Sequence, residues 1–181
     1  MTGVQTCALP ISGPPLTPMI FDIMIRFRAY RVALTSDIEK AFLNVAIAPE
    51  HRDFLRFLWL DDRRFTRVVF GVNSNPFLLN GTIRHHLNSY MDRDPEFVEE
   101  VLRSLYDDDL ASSKRDRASA YDLYSKLKTR FKEAGFNMRK WMTNDHELAE
   151  KIKSEEDRGL NHHPLISGFQ QEDQTFSKSQ F

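Results

Sequence analysis

Cysteine is nearly absent from this chain of 181 residues: the only one is Cys7. It lies in the opening segment MTGVQTCALPISG, whose residues 2–11 resemble the in-frame translation of a sequencing-library adapter. Residues 1–12 are therefore read as a cloning or assembly scar that takes no part in the fold. The remaining sequence then has no cysteine, which excludes disulfides, thiol catalysis and cysteine-ligated zinc. Long apolar runs are also lacking. No stretch reaches 18 consecutive apolar residues and MIFDIMI is broken by Asp22, so no membrane span is expected. The start has neither a basic first segment nor a long apolar centre, so an intracellular location is expected rather than secretion. Charge of one sign is missing as well. With Lys+Arg 25 against Asp+Glu 26 the net charge is -1, so a nucleic-acid partner would have to be held by local basic patches, not by the overall field.

What is present suffices for one core: 41% of the residues are hydrophobic, 14 of them Phe. After SGPPLTP, Thr17 can cap and Pro18 can open a helix running to about Arg28, with Ile20, Phe21, Met24 and Ile25 as its buried stripe. RVALTSD reads as a buried strand ending at Asp37. FLRFLWL and FTRVVF read as the strands of a hairpin turning at DDRR. In GVNSNPFLLNGTIRHHLNSYM, Asn75 is a candidate cap before Pro76, and Leu79, Ile83, Leu87 and Tyr90 recur at helical spacing. VLRSLY reads as an apolar strand that runs into Asp107, Asp108 and Asp109. DRASAYDLYSKLKTRFKEAGF is an amphipathic helix on Ala120, Tyr124, Leu127, Phe131 and Ala134, stopped by Gly135. FNMRKWM suits a strand and DHELAEKI a short helix. From Ser154 the chain is polar and aperiodic, and a loosely ordered tail over 154–181 is expected. Strands mixed with helices on one face indicate an α+β fold, and a ferredoxin-like split βαβ arrangement fits the order.

Two acidic features stand at strand ends: Asp37 in LTSDIEKAF, and the aspartate run. A two-metal site needs carboxylates from different strands converging on ions about 3.5 to 4 Å apart, and magnesium accepts one or two such carboxylates plus substrate phosphates. Each feature also has a plain structural reading. Ser36 to Glu39 has capping-box spacing, and DDD can be an acidic surface turn. The basic residues Lys114, Arg115, Arg117, Lys126, Lys128, Arg130 and Lys132 suit either phosphate contacts or an exposed helix face. His85 and His86 are adjacent on a helix and so diverge, and His162 and His163 fall in the tail; none forms a convincing ligand pair.

Taken in order and spacing, SDIEKAF, FGVNSNPF and SLYDDDLASS resemble motifs A, B and C of reverse transcriptases, most closely the polymerase of BEL/Pao-type retrotransposons. The likeness runs from about Gly13 to Lys153 and includes the AGFNMRKW segment. It implies a reverse-transcriptase palm over 13–153 with partial fingers and no thumb, acting in RNA-directed DNA polymerisation. Asp37, Asp108 and Asp109 would hold two Mg2+ ions, or Mn2+ in their place. A primed RNA or DNA template, dNTPs and the remainder of a Pol polyprotein are the partners it implies. Phe42 would match the steric gate against a ribose 2′-hydroxyl, its alternative being a core side chain. Gly71 would allow close backbone approach, Asn73 would belong to the motif B loop, and Tyr106 would mark the register of the catalytic hairpin. Lys140 would match a lysine near the triphosphate, its alternative being a solvated surface residue.

Two positions depart from the pattern. Asp107 stands where an apolar residue is usual, and its charge about 4 Å from a triphosphate oxygen would cost about 1 to 4 kcal/mol. Asn75 stands where a small Ser or Ala is expected. With only partial fingers and no thumb, and with Asp107 at the catalytic hairpin, the fragment alone is expected to polymerise weakly or not at all, and a catalytically dead remnant or nucleic-acid-binding module is the alternative.

Overall fold

A computed structural model describes residues 16–58, 62–69 and 71–160. The elements run α1 (Ile20–Phe27), β1 (Val32–Ile38), α2 (Ala41–Asn44), a 3-10 turn (Pro49–Leu55), β2 (Arg56–Leu58), β3 (Asp62–Arg64) and α3 (Asn75–Asn88). They continue with α4 (Pro95–Ser104), β4 (Leu105–Tyr106), β5 (Asp109–Lys114), α5 (Arg117–Glu133), β6 (Met138–Thr143) and α6 (His146–Leu160).

The main sheet has four strands in the order β4-β5-β1-β6, every neighbouring pair antiparallel. In chain order this is strand, helices, strand, strand, helix, strand, with β5 inserted between β4 and β1, which is the split βαβ arrangement. The expected α+β fold is what is observed. β1 carries it. Val32, Leu34, Ser36 and Ile38 are buried, whereas Ala33, Thr35 and Asp37 on the opposite face are only partly covered, the period-two alternation of a strand packed on one side. Leu34 is fully buried, and its truncation to Ala would cost about 2 to 5 kcal/mol. α5 packs on this sheet through Ala120, Leu123, Tyr124, Leu127 and Phe131, all buried. Its ends are set locally. Asp116 caps the start by accepting from the Ser119 N–H at 2.8 Å. Gly135, at φ 78°, closes the end, with Phe136 N–H donating to the Phe131 carbonyl and Gly135 N–H to that of Lys132.

Several expectations are corrected. α1 begins after Met19, not at a Thr17 cap, and Ile20, Phe21, Met24 and Ile25 are exposed while Ile23 is the buried residue. Asp22 and Arg26, one turn apart, mark a polar side, yet the helix packs through Ile23, Arg26 and Phe27, with the Arg26 guanidinium donating to the Arg103 carbonyl at 2.7 Å. VLRS ends a helix rather than starting a strand: Asp94 caps α4, Pro95 fills its first turn, and only Leu105 and Tyr106 are extended. An apolar run this short fits either period. Asp62–Arg64, read as turn, is strand, whereas Arg67 makes only an isolated bridge to Ala46. Asn75 is not the cap of α3 but its first helical residue, and Ser74 before it makes no side-chain cap. Ser154 to Leu160, read as loosely ordered, continues α6; the rest of that tail, like residues 1–12, lies outside the described residues. Among the described residues no helix is long and apolar enough to cross a membrane.

Candidate active site

The alternation of β1 turns Asp37 to the face opposite the core, at the strand's C-terminal end. The β1–β5 register sets Asp37 directly across from Asp109, and cross-strand partners project to the same face. Like charges in that arrangement are destabilising without a cation between them. Asp107 and Asp108 form the two-residue turn between Tyr106 and Asp109, which are themselves paired. Asp107 takes the positive φ, 52°, that such a tight hairpin asks of its first turn residue. The Ile38 N–H donates to the Asp108 carbonyl at 2.8 Å, locking the turn to the end of β1.

Burial is the largest influence raising the Asp108 pKa above the ordinary aspartate value. The charges of Asp109, Asp107 and Asp37 add to it, against an opposing bond from its own backbone N–H. Asp37 presents Oδ2 to Lys140 Nζ at 2.5 Å, and its Oδ1 is buried without a hydrogen-bond partner among the described residues. The bond to Asp37 raises the pKa of Lys140. Lys140 reaches Asp37 because β6 is irregular against β1: Asp37 pairs with Arg139 and Thr35 with Met142, and Lys140 between them has φ 52°. Such a bulge re-aims one side chain. Arg139 turns instead to Glu39, which also accepts from Asn137 Nδ2 at 2.8 Å; the Asn137 bond first, then Arg139, holds Glu39 below its usual pKa against the effect of burial.

The capping-box reading of Ser36–Glu39 is overturned. Ser36 lies inside β1 with its hydroxyl buried and unpartnered among the described residues, and α2 starts after Lys40 with no side-chain cap. Tyr106, Asp107, Asp108, Asp109, Asp37 and Lys140 are thus brought to one end of the sheet. Phe42 lies in α2, half-buried against the core. Gly71, at φ 88°, has no heavy atom within 4 Å of where a Cβ would sit, so the turn into α3 needs it for backbone conformation and not for close packing within this chain. Asn73 is exposed in the same turn.

Two residues not expected at the site from the sequence join the acidic turn. Thr17 Oγ1 donates to Asp107 Oδ1 at 3.2 Å, and Asn80 Nδ2 lies 3.3 Å from the same oxygen. Asn80 is a buried polar residue on the stripe of Ile83 and Leu87, and a lone Asn on an apolar helical stripe was the available signal. The basic residues after the hairpin are held largely within the protein. Lys114 pairs with Glu100, Arg117 with Asp145 and Glu147, Lys126 with Asp94 and Asp122, Lys128 with Glu156, and Arg130 with Asp94. His86 Nε2 lies 2.7 Å from the Arg130 carbonyl, which places it in packing.

The donor set suits a hard divalent cation, being carboxylate oxygens on two adjacent strands. The unpartnered Oδ1 of Asp37 is a free acceptor at the same place. With the side chains as they stand, no three His, Cys, Asp or Glu residues among those described are grouped to hold a metal ion, because Asp37 is turned to Lys140 and Asp107 to Thr17 and Asn80.

No protein-family model matches this sequence, and neither does any curated protein. Solved structures do. One is the foamy viral protease-reverse transcriptase in complex with an RNA/DNA hybrid, with a TM-score of 0.53 and 18% sequence identity over 67% of this chain. This chain spans 15% of that protein's length. At such identity the likeness defines the fold: an α+β, palm-like fold of the kind found in reverse transcriptases.

Proposed function

We propose that this chain is the palm region of an RNA-directed DNA polymerase, a nucleotidyltransferase of the BEL/Pao retrotransposon type. The observation that carries the reading is the juxtaposition of Asp37 and Asp109 in register, with Asp108 bonded through its carbonyl to the residue after Asp37. Acids from two distant motifs share one sheet end, where the facing pair is repulsive unless a cation offsets it.

In this reading Asp37, Asp108 and Asp109 hold two Mg2+ ions, which when bound activate a primer 3′-hydroxyl and neutralise the leaving pyrophosphate. The protein's own part is to place three carboxylates from two strands on one face, with Lys140 bonded to Asp37 beside them. Tyr106 fixes the register of the turn, Phe42 limits space beside the sugar, and Gly71 and Asn73 shape the loop that meets the incoming dNTP. A primed RNA or DNA template and the rest of a Pol polyprotein, inside the cell, complete the assembly. The fold likeness to a reverse transcriptase supports this reading.

A second reading is a catalytically silent, nucleic-acid-binding remnant. It is favoured by one observation, the commitment of Asp37 to Lys140. Mn2+ titration with a dNTP, followed by electron paramagnetic resonance, separates the two. The polymerase reading expects Mn2+-dependent dNTP binding that Asp37→Asn abolishes. Binding that is absent, or indifferent to Asp37→Asn, would establish the remnant. Primer extension by the chain alone is expected to be weak under either reading.

A further inference from the structure

The aspartate run holds one acid that metal chemistry does not need. Asp107 occupies the first turn position, and its carboxylate is directed to α3 and the segment before α1. Its Oδ1 lies 3.2 Å from Thr17 Oγ1 and 3.3 Å from Asn80 Nδ2. Asn80 is 4% exposed. Its amide also lies 2.9 Å from the Pro76 carbonyl one turn back and 3.3 Å from Thr17 Oγ1. A buried amide next to a carboxylate makes a charge-assisted bond, stronger than a neutral one. The turn is thereby held from two sides: to β1 by the Ile38 N–H on the Asp108 carbonyl at 2.8 Å, and to α3 by Asp107.

We propose that Asn80 is a positioning residue which, through Asp107, fastens the acidic turn to α3 and so fixes Asp108 and Asp109 relative to Asp37. The inference rests on the polymerase reading for its purpose, though not for the tether itself. It reverses the expectation for Asp107. The charge is directed to Thr17 and Asn80, where two donors meet it, and an apolar residue at this position would release the turn instead of improving the site.

The test uses the full chain with Asn80→Ala, Asp107→Val, Asp107→Asn and the double variant Asn80→Ala/Asp107→Val. Hydrogen exchange is read in chelator at the Ile38 and Leu110 amides, and Mn2+ affinity by electron paramagnetic resonance. Loss of one hydrogen bond to a charged group is worth about tenfold, so each apolar variant should raise exchange at these amides by about that factor. The double variant should do no more than either single one. Asp107→Asn, which keeps an acceptor oxygen, should stay near the parent. Mn2+ affinity should weaken about three- to tenfold in the same variants that loosen the turn.

A merely structural role for Asn80 would instead speed exchange along the whole of α3, leave the Ile38 and Leu110 amides no faster than the rest and leave Mn2+ affinity unmoved; that result overturns the proposal. So would additive effects of Asn80→Ala and Asp107→Val, or an Asp107→Val protein that binds Mn2+ as well as the parent. If the parent chain binds no Mn2+, the polymerase reading fails, and the exchange pattern still decides the tether: coupled and local loosening supports it, and uncoupled loosening overturns it. Should Asn80→Ala fail to fold, the contrast between Asp107→Val and Asp107→Asn carries the same decision.

Discussion

Lys140 Nζ lies 2.5 Å from Asp37 Oδ2, across the bulged edge between β6 and β1. This ammonium supplies, within the chain, the positive charge that the facing pair of Asp37 and Asp109 requires. If the carboxylates hold divalent ions, Lys140 competes with them for one oxygen of Asp37. Lys140→Met should therefore tighten Mn2+ binding in the absence of nucleotide, by no more than about fivefold because the lysine is exposed and such pairs are weak. The same substitution should lower the melting temperature in chelator, where nothing else offsets the repulsion. Electron paramagnetic resonance and a thermal melt in EDTA check the two halves, and weaker Mn2+ binding in the variant would count against competition.

Asn75 explains its own departure from the reverse-transcriptase pattern. It is buried, and its side-chain amide donates to the Val69 carbonyl, tying the backbone at Val69 to the first turn of α3. A serine at this position is too short to make that bond. Asn75→Ser should leave the Val69 carbonyl unpaired at a cost of about 1 to 2 kcal/mol, a fall in melting temperature of about 2 to 8 °C. Proteolysis in the Gly71–Ser74 turn should accelerate in parallel. An unchanged melt and cleavage rate would show that the staple contributes nothing.

The sheet and its acidic end were legible in the sequence because they rest on local rules. The apolar run RVALTSD marked β1 as a strand with Asp37 near its end, and the stripe from Ala120 to Phe131 with Gly135 after it marked α5 and its end. What was hidden depended on contacts between distant segments. Thr17 looks like a helix cap until Asp107 is brought beside it, and nothing local marks Lys140 as the partner of Asp37. The start of α4 was visible in the pair Asp94–Pro95, yet the apolar run VLRSLY drew attention to the strand that follows it.

The face of α1 was the largest misreading, and its exposure is measurable. Ile20, Phe21 and Ile25 are 52%, 68% and 55% exposed, so charging them removes little packing among the described residues. Phe21→Glu with Ile25→Lys should shift the melting temperature by less than about 2 °C and should reduce binding of a hydrophobic fluorescent dye. A large loss of stability would mean that this face is packed.

Asp94 joins α4 to α5 and gives the fold a defined acid sensitivity. It caps α4 by accepting from the Phe97 N–H, and its other oxygen lies 2.9 Å from Arg130 Nη2 and 3.1 Å from Lys126 Nζ on α5. Arg130 in turn sits over the rings of Tyr90 and Phe97, at 4.7 and 4.2 Å from their centroids. Burial pushes the carboxyl up, but Lys126 and Arg130 outweigh it and hold its pKa below the usual aspartate value. A folded pKa lowered in this way means that the stabilisation is fully present above the unfolded value of about 3.9 and is lost as pH falls through the folded value. Asp94→Ala removes a cap and leaves a mostly buried guanidinium without its carboxylate, at a cost of about 2 to 4 kcal/mol near neutral pH. The melting temperature should drop by about 4 to 16 °C at pH 7. As pH falls through that lowered folded value the parent protonates the same group, and the two proteins should converge. A deficit that stays constant through the acid limb would assign the loss to packing and leave the ion pairs without a share.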